Sequence, residues 1–301
     1  MNRNISSLLL ILLIQCVLVA AVYWPQARKH ENALEAMAPF ERNRVTELYV
    51  GDEFDNETVL KKVGDRWLLP ELEGLPADAA MVDKLLDAIT NSDSNWPIAD
   101  SVAARQRFRV ASYHYRRRII LLAGEQELGT FLLGTSPGFG KIYARNQSQV
   151  AIYSIPFNAH DAPGTSGRWL DRKLLQTRAP VRIAADTYSL RLEGDRWLSG
   201  LGQTPDEREL QALLAGLRSL QIDGLASEDD QRDLAEAEAD MVFTIDSLAG
   251  TVTLEFFRMG ERYFIHSSEY PLFFSLSAYD YDRLAGIDDR LISAAESGQG
   301  S

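Results

Sequence analysis

Cysteine is nearly absent from this 301-residue chain, with Cys16 the single one. That excludes a disulfide framework and a Cys-rich zinc site. Histidine is scarce too. His30, His114, His160 and His266 are scattered, and none has a partner at metal-ligand spacing. Basic residues are outnumbered, 31 Lys and Arg against 43 Asp and Glu, for a formal net charge of −12. A nucleic-acid binder needs a basic stripe to displace counterions, so that class is disfavoured. What is present, 46% hydrophobic and 25% charged residues, is ordinary globular composition at a length that fits about two domains.

The first landmark is an apolar run over residues 8–24, broken only by Gln15 and closed by Tyr23, Trp24 and Pro25 before Arg28 and Lys29. As a helix it would span about 26 Å, the short end of what a bilayer core needs. A Tyr-Trp pair at its end suits the membrane–water interface. The expectation is a short cytoplasmic N-terminus (1–7), a transmembrane anchor (8–24) and a linker (25–43). A cleaved signal peptide ending near Val19 and Ala21 is the competing reading, and a lipoprotein signal at Cys16 is disfavoured by Gln15. Arg3 on one side nearly balances Arg28 and Lys29 on the other. The lack of cysteine after Cys16 suits an oxidising compartment and tips the orientation towards N-terminus inside, bulk outside. The expected topology is therefore single-pass, with the bulk of the chain outside the cytoplasm.

From about Arg44 the chain repeats itself. Gly64-Asp65-Arg66-Trp67-Leu68 recurs as Gly194-Asp195-Arg196-Trp197-Leu198, each after a strand-like segment, 58–63 and 188–193. Gly-Asp between such runs signals a two-residue hairpin. Each hairpin leads to a helix with one apolar stripe: Val82, Leu85, Leu86 and Ile89, then Leu210, Leu213, Leu214 and Leu217. Asp78 is the expected cap of the first. For the second, Thr204 is the expected N-cap, with Pro205 in the first turn and Glu207 completing a capping box. Strand-rich stretches follow, at 108–113, 118–123, 128–133, 141–145 and 150–155, then at 241–246, 251–258, 262–266 and 272–276. Each copy is expected to close on a helix, over 169–175 and 287–292. The reading is α+β: two tandem duplicated domains (44–178 and 179–296), each a β-hairpin, a helix and an antiparallel meander, with a flexible tail at 297–301.

These residues resemble a known family. The Gly-Asp-Arg-Trp hairpin, the Leu75-Pro76-Ala77-Asp78 lead into a helix, and Leu133-Gly134 before the strand Tyr143-Ala144-Arg145 look like the bacterial family called domain of unknown function 4340. The resemblance covers residues 45–175 well and 181–292 more faintly. It implies a membrane-anchored protein, since members are typically held by an N-terminal helix. Some members accompany ABC-type transport systems related to gliding-motility auxiliaries, so the implied partners are a permease or auxiliary subunits. It carries over no catalytic residue and implies no cofactor.

Motifs with chemical promise fall short. Residues 134–141 suggest a phosphate loop, but Phe139 stands where Gly is required and Ile142 where Ser or Thr should bind magnesium. His160-Asp161, near Ser136 and Ser166, lacks the Gly-x-Ser-x-Gly elbow of a hydrolase. Asp280, Asp282, Asp288 and Asp289 do not form the oxygen ladder of a calcium loop around Gly286. Trp67 and Trp197 recur, and equivalent aromatics in repeated hairpins more often fill cores than stack on ligands.

Charge is the remaining signal. Residues 1–43 carry net +1, residues 44–178 are neutral, and residues 179–301 carry −13. Arg105, Arg107, Arg109, Arg116, Arg117 and Arg118 form a stretch with no acid among them. At the corresponding place in the second copy stand Glu228, Asp229, Asp230, Asp233, Glu236, Glu238 and Asp240, relieved only by Arg232. Both are read either as solvated faces or as binding surfaces, for a partner or for each other, and the arginines are the candidate partner-binding residues. The expected function is a non-enzymatic extracytoplasmic accessory of an envelope or ABC-type transport complex, acting through protein–protein contacts. The rival readings are a periplasmic binding module for a small molecule or glycan in an interdomain cleft, and an envelope hydrolase.

Overall fold

Alternation of buried and exposed side chains along the strands, and a 3.6-residue stripe on the longer helices, organise the chain. The computed structural model describes residues 13, 15–17, 36–91, 96–287 and 292. Most of the apolar run 8–24, and with it the expected anchor, lies outside the described residues. Among the described residues no helix is long and apolar enough to cross a membrane. The chain is a mixed α and β structure of antiparallel sheets with few helices. It divides into two compact units, Met1–Glu73 with Ala79–Ser166, and Gly74–Asp78 with Gly167–Ser301.

In the first unit β1 (Glu47–Asp52), β2 (Glu57–Val63) and β3 (Arg66–Leu69) form a meander. The β2–β3 turn is the expected hairpin: Val63 pairs with Arg66, and Gly64 takes the positive φ of 62° that the tight turn requires. The two-residue strand β4 (Leu75–Pro76) belongs with the second unit, where Ala77 bridges Leu170. Helix α1 (Ala79–Thr90) buries Val82, Leu85, Leu86 and Ile89, the whole predicted stripe. Then come α2 (Val102–Arg107), the small hairpin β5 (Val110–Ala111) and β6 (His114–Tyr115), and the strands β7 (Arg117–Ala123), β8 (Gln126–Leu133), β9 (Ile142–Asn146) and β10 (Tyr153–Ile155). The order across the sheet within this unit is β10-β9-β8-β7-β1-β2-β3.

The second unit comprises β11 (Pro180–Ala184), β12 (Ser189–Glu193), β13 (Arg196–Ser199), α3 (Glu207–Ser219), β14 (Ile222–Leu225) and α4 (Glu228–Ala235). β15 (Met241–Ser247), β16 (Gly250–Met259), β17 (Arg262–Ser267), β18 (Phe273–Leu276) and α5 (Ala278–Ala285) complete it. Its order is β13-β12-β11-β15-β16-β17-β18-β14. Taken from the hairpin end, β3-β2-β1-β7-β8-β9-β10 and β13-β12-β11-β15-β16-β17-β18 correspond strand for strand. Gly194, with φ 67°, repeats the turn of Gly64.

Both faces of each sheet are covered. In the second unit Phe256 meets Tyr281 of α5 edge-on, with ring centroids 6.3 Å apart, while on the opposite face Phe257 and Phe264 bury Ala226 and Leu234 under α4. In the first unit α2 and the β5–β6 hairpin cover Val110, Leu132 and Ile152, with Phe108 stacked on Tyr143 at 4.1 Å.

Three local expectations are corrected, and a fourth lies largely outside the described residues. The N-cap of α3 is Asp206, whose carboxylate accepts from the backbone N–H of Arg208 (2.9 Å) and Glu209 (3.1 Å), and not Thr204. A carboxylate beside the helix start outcompetes the earlier threonine because it also favours the positive end of the helix dipole. The strand expected over 108–113 is the end of α2 plus the short β5–β6 hairpin. Residues 169–175 form turns and one isolated bridge instead of a helix, because Trp169 and Leu170 are drawn into the core and Asp78 N donates to Trp169 O at 2.6 Å. The helix expected over 287–292 falls largely outside the described residues, and α5 lies just before it.

Candidate functional site

The basic stretch gathers at one end of the first sheet. β1 ends there at Asp52, β7 begins there, β8 leaves it at Leu133 and β9 starts from it at Ile142. Three connections are knitted together at this end. Thr135 N donates to Phe108 O (2.8 Å), Gly134 N to Tyr143 O (2.8 Å), and Arg109 Nη1 pairs with Glu53 Oε2 at 3.1 Å. Gly134 is required here, since a Cβ would sit 1.9 Å from the Phe108 carbonyl oxygen.

The six arginines do not act alike. Arg118 Nη2 pairs with Glu57 Oε2 at 2.9 Å and lies over the Tyr115 ring. Arg117 donates from Nε to Ala162 O (2.5 Å) and from Nη1 to Arg116 O (2.7 Å), on the same side of the sheet as Asp52, its cross-strand partner. Asp52 is buried; hydrogen bonds from Asn56 and from the backbone N–H of Phe54, with the charge of Arg117, outweigh its desolvation and lower its pKa. Arg109, Arg117 and Arg118 are thus engaged in holding the fold. Arg105, Arg107 and Arg116 have no ion pair among the described residues; Arg105 and Arg107 lie on α2, and Arg116 precedes β7. Arg107 is exposed beside the Phe108 ring, and Lys141, also exposed, joins the set from the loop before β9.

Sequence reasoning missed two features of this end. One is its exposed aromatics: Phe54 on the β1–β2 turn is 76% exposed, Tyr113 between β5 and β6 71%, and Phe139 on the 134–141 loop is fully exposed. For Phe54, between Glu53 and Asp55, and Phe139, between Gly138 and Gly140, the turn composition was the available signal, whereas Tyr113 fell inside an expected strand. The other is Arg145, which is buried. Its Nε donates to Val110 O (2.8 Å) and its Nη1 to Gln147 O (3.1 Å) and Gln149 O (2.9 Å). Burial, and then the neighbouring charge of Arg105, lower its pKa. Nothing in the sequence separates this structural arginine from the solvated ones.

The acidic stretch of the second unit lies on and just after α4. Ser227 caps the helix, and the buried Asp230 receives Arg262 Nη1 at 2.6 Å. Asp229 pairs with Arg232, and Asp240 accepts from the Tyr281 hydroxyl at 3.3 Å. Glu228, Asp233, Glu236 and Glu238 are exposed, with no ion pair among the described residues.

The other candidates are placed as follows. His160 is exposed, and Asp161 pairs with Lys84 at 2.7 Å. Ser166 hydrogen-bonds Glu71 and Thr58 with no histidine in reach among its partners. His114 is exposed in β6, and His266 meets Glu255 at 2.8 Å across β16 and β17. Trp67 is buried and Trp197 half-buried. Among the described residues no group of three or more His, Cys, Asp or Glu could hold a metal ion. A 750 Å³ groove in the first unit is lined by Arg42, Lys62, Asp65, Trp67, Asp83 and neighbours, and Arg42 pairs with Asp83 and with Asp87.

No curated protein and no solved structure matches the chain. The family model described as Domain of unknown function (DUF4340) matches residues 67–241, more than half of the chain.

Proposed function

The chain belongs to the DUF4340 family, and on that premise we propose that it is a membrane-tethered, non-enzymatic accessory of an envelope or ABC-type transport complex that works through protein–protein contacts. The observation that carries this reading is the end of the first sheet, where exposed aromatics and unpaired arginines share one surface. Tyrosine, other aromatics and arginine are the residue types that dominate protein interfaces, because they combine large contact area with directed hydrogen bonds. Residues 8–24 supply the tether, with the two units in the periplasm of a bacterium.

The two units are copies of one ancestral domain in this reading. The corresponding strand orders and the Gly64 and Gly194 turns support it, as does a helix with the same apolar spacing after each hairpin.

The test is native electrophoresis of gently solubilised membranes holding the full chain at its natural level. The reading expects the chain in a species that also contains other polypeptides. Migration only as the chain itself, or as its multiples, contradicts it.

A further inference from the structure

Residues 36–44 seat on one end of the first unit. Asn146 Nδ2 donates to Met37 O (2.9 Å) and Gln149 Nε2 to Ala36 O (3.0 Å). Met37 is fully buried, Phe40 packs edge-on against Phe131, and Arg42 clamps Asp83 and Asp87 of α1. The described chain therefore begins at the Asn146 end of β9. The surface of Phe54, Tyr113 and Phe139 lies at the Ile142 end, about 16 Å away along a five-residue strand. Aromatics among arginines also suit lipid headgroups, but the chain itself carries a complement more specific in charge and shape.

The occupant must match apolar tips at an end that also carries Arg107, Arg116 and Lys141, where Glu53 and Glu57 are consumed by Arg109 and Arg118 and Asp55 is exposed, so carboxylates on the occupant complement the excess of arginine and lysine. The chain itself carries such a surface. Residues 235–239 read Ala235-Glu236-Ala237-Glu238-Ala239, which alternates small apolar residues with carboxylates, and Glu228 and Asp233 stand exposed on the adjoining α4. Small side chains let an aromatic ring approach closely, and the flanking glutamates meet guanidinium groups in the geometry that arginine favours.

We infer that a second copy of this chain docks its acidic segment 228–240 on the aromatic and basic end of the first unit. The two surfaces are unlike, so the contact is head-to-tail, and it closes into rings or propagates. Tethering copies in one membrane raises their effective concentration and favours such a contact. This inference assigns to a second copy the surface on which the accessory reading rests, so a capture there that needs a different protein overturns it and leaves the accessory reading standing.

The experiment uses the full chain in detergent, carrying either of two tags, with mixed-tag capture and native mass measured across salt. The expected result is association of the two tagged forms at low salt that weakens by at least about tenfold at high salt or on Arg107→Glu with Arg116→Glu. Mixing that variant with Glu236→Lys and Glu238→Lys should restore capture between the two variants, while neither captures itself. Unfolding measured by circular dichroism verifies that each variant is folded, and Phe139→Ser, at a fully exposed loop tip, provides a second disruption that leaves charge untouched. A single-copy mass at every salt concentration overturns the inference. So does association that survives both disruptions, or capture that depends on a different protein.

Discussion

Arg118 reaches across Gly51 to Glu57, with Nη2 to Oε2 at 2.9 Å, so one residue without a side chain lets a guanidinium bridge three adjacent strands. A Cβ on Gly51 would lie 3.7 Å from the Glu57 carboxylate and 3.8 Å from Arg118 Nε, which leaves room for a methyl group and little more. Both partners are about two-fifths exposed, so solvent screens the pair. Glu57→Gln should therefore lower stability by less than about 1 kcal/mol. Chemical unfolding of the two proteins checks it.

Gly134 carries a harder constraint. The atoms that a Cβ would meet are the backbone oxygens of Phe108 and Arg109, at 1.9 and 2.6 Å, and backbone cannot swing aside as a side chain can. Gly134→Ala should destabilise the first unit by about 1–3 kcal/mol or more. The measurement is the shift in urea midpoint, and an unchanged midpoint would show that the 134–141 loop is not pinned to α2.

Arg145 should be among the most sensitive arginines of the first unit. Arg145→Met leaves the carbonyls of Val110, Gln147 and Gln149 without their donor, and orphaning the buried Val110 carbonyl alone costs about 1–3 kcal/mol. Arg107→Met, at an exposed site, should change stability little. Thermal melts of the two variants separate the structural arginine from the surface one.

The fold was legible where local chemistry and tertiary packing agree. The Gly64 and Gly194 turns, the α1 stripe and most strand cores lie where hydrophobic alternation puts them. The short helices were not. α2 buries no side chain fully, and α4 buries only Asp230 and Leu234, so neither shows a helical stripe. Their serine caps, Ser101 and Ser227, are the only local signals. The candidate site was half legible, since composition located the arginines but could not tell which of them ion pairs would consume.

Acid should weaken the second unit in a way that Asp230 explains. Hydrogen bonding from Ser227, then from Arg262, holds its carboxyl below the usual carboxylate range. A native pKa below the unfolded one contributes stability above the ordinary carboxylate range, and that stability is lost as pH falls through the native value. Asp230→Asn should reduce stability at neutral pH and flatten the acid limb of a stability-against-pH curve. Parallel curves for the two proteins would contradict this role.

Topology is checked by a reporter fused after Ser301. A reporter that works only outside the cytoplasm should be active, given the expected orientation of residues 8–24. Activity confined to a cytoplasmic reporter would reverse the assigned sides.

The accessory reading is tested most directly by detergent solubilisation of the tagged full chain at its natural level, with mass spectrometry of what co-purifies. The account predicts recovery of a permease and its ATPase in amounts comparable with the chain. Repeated recovery of the chain without any other membrane protein would contradict it.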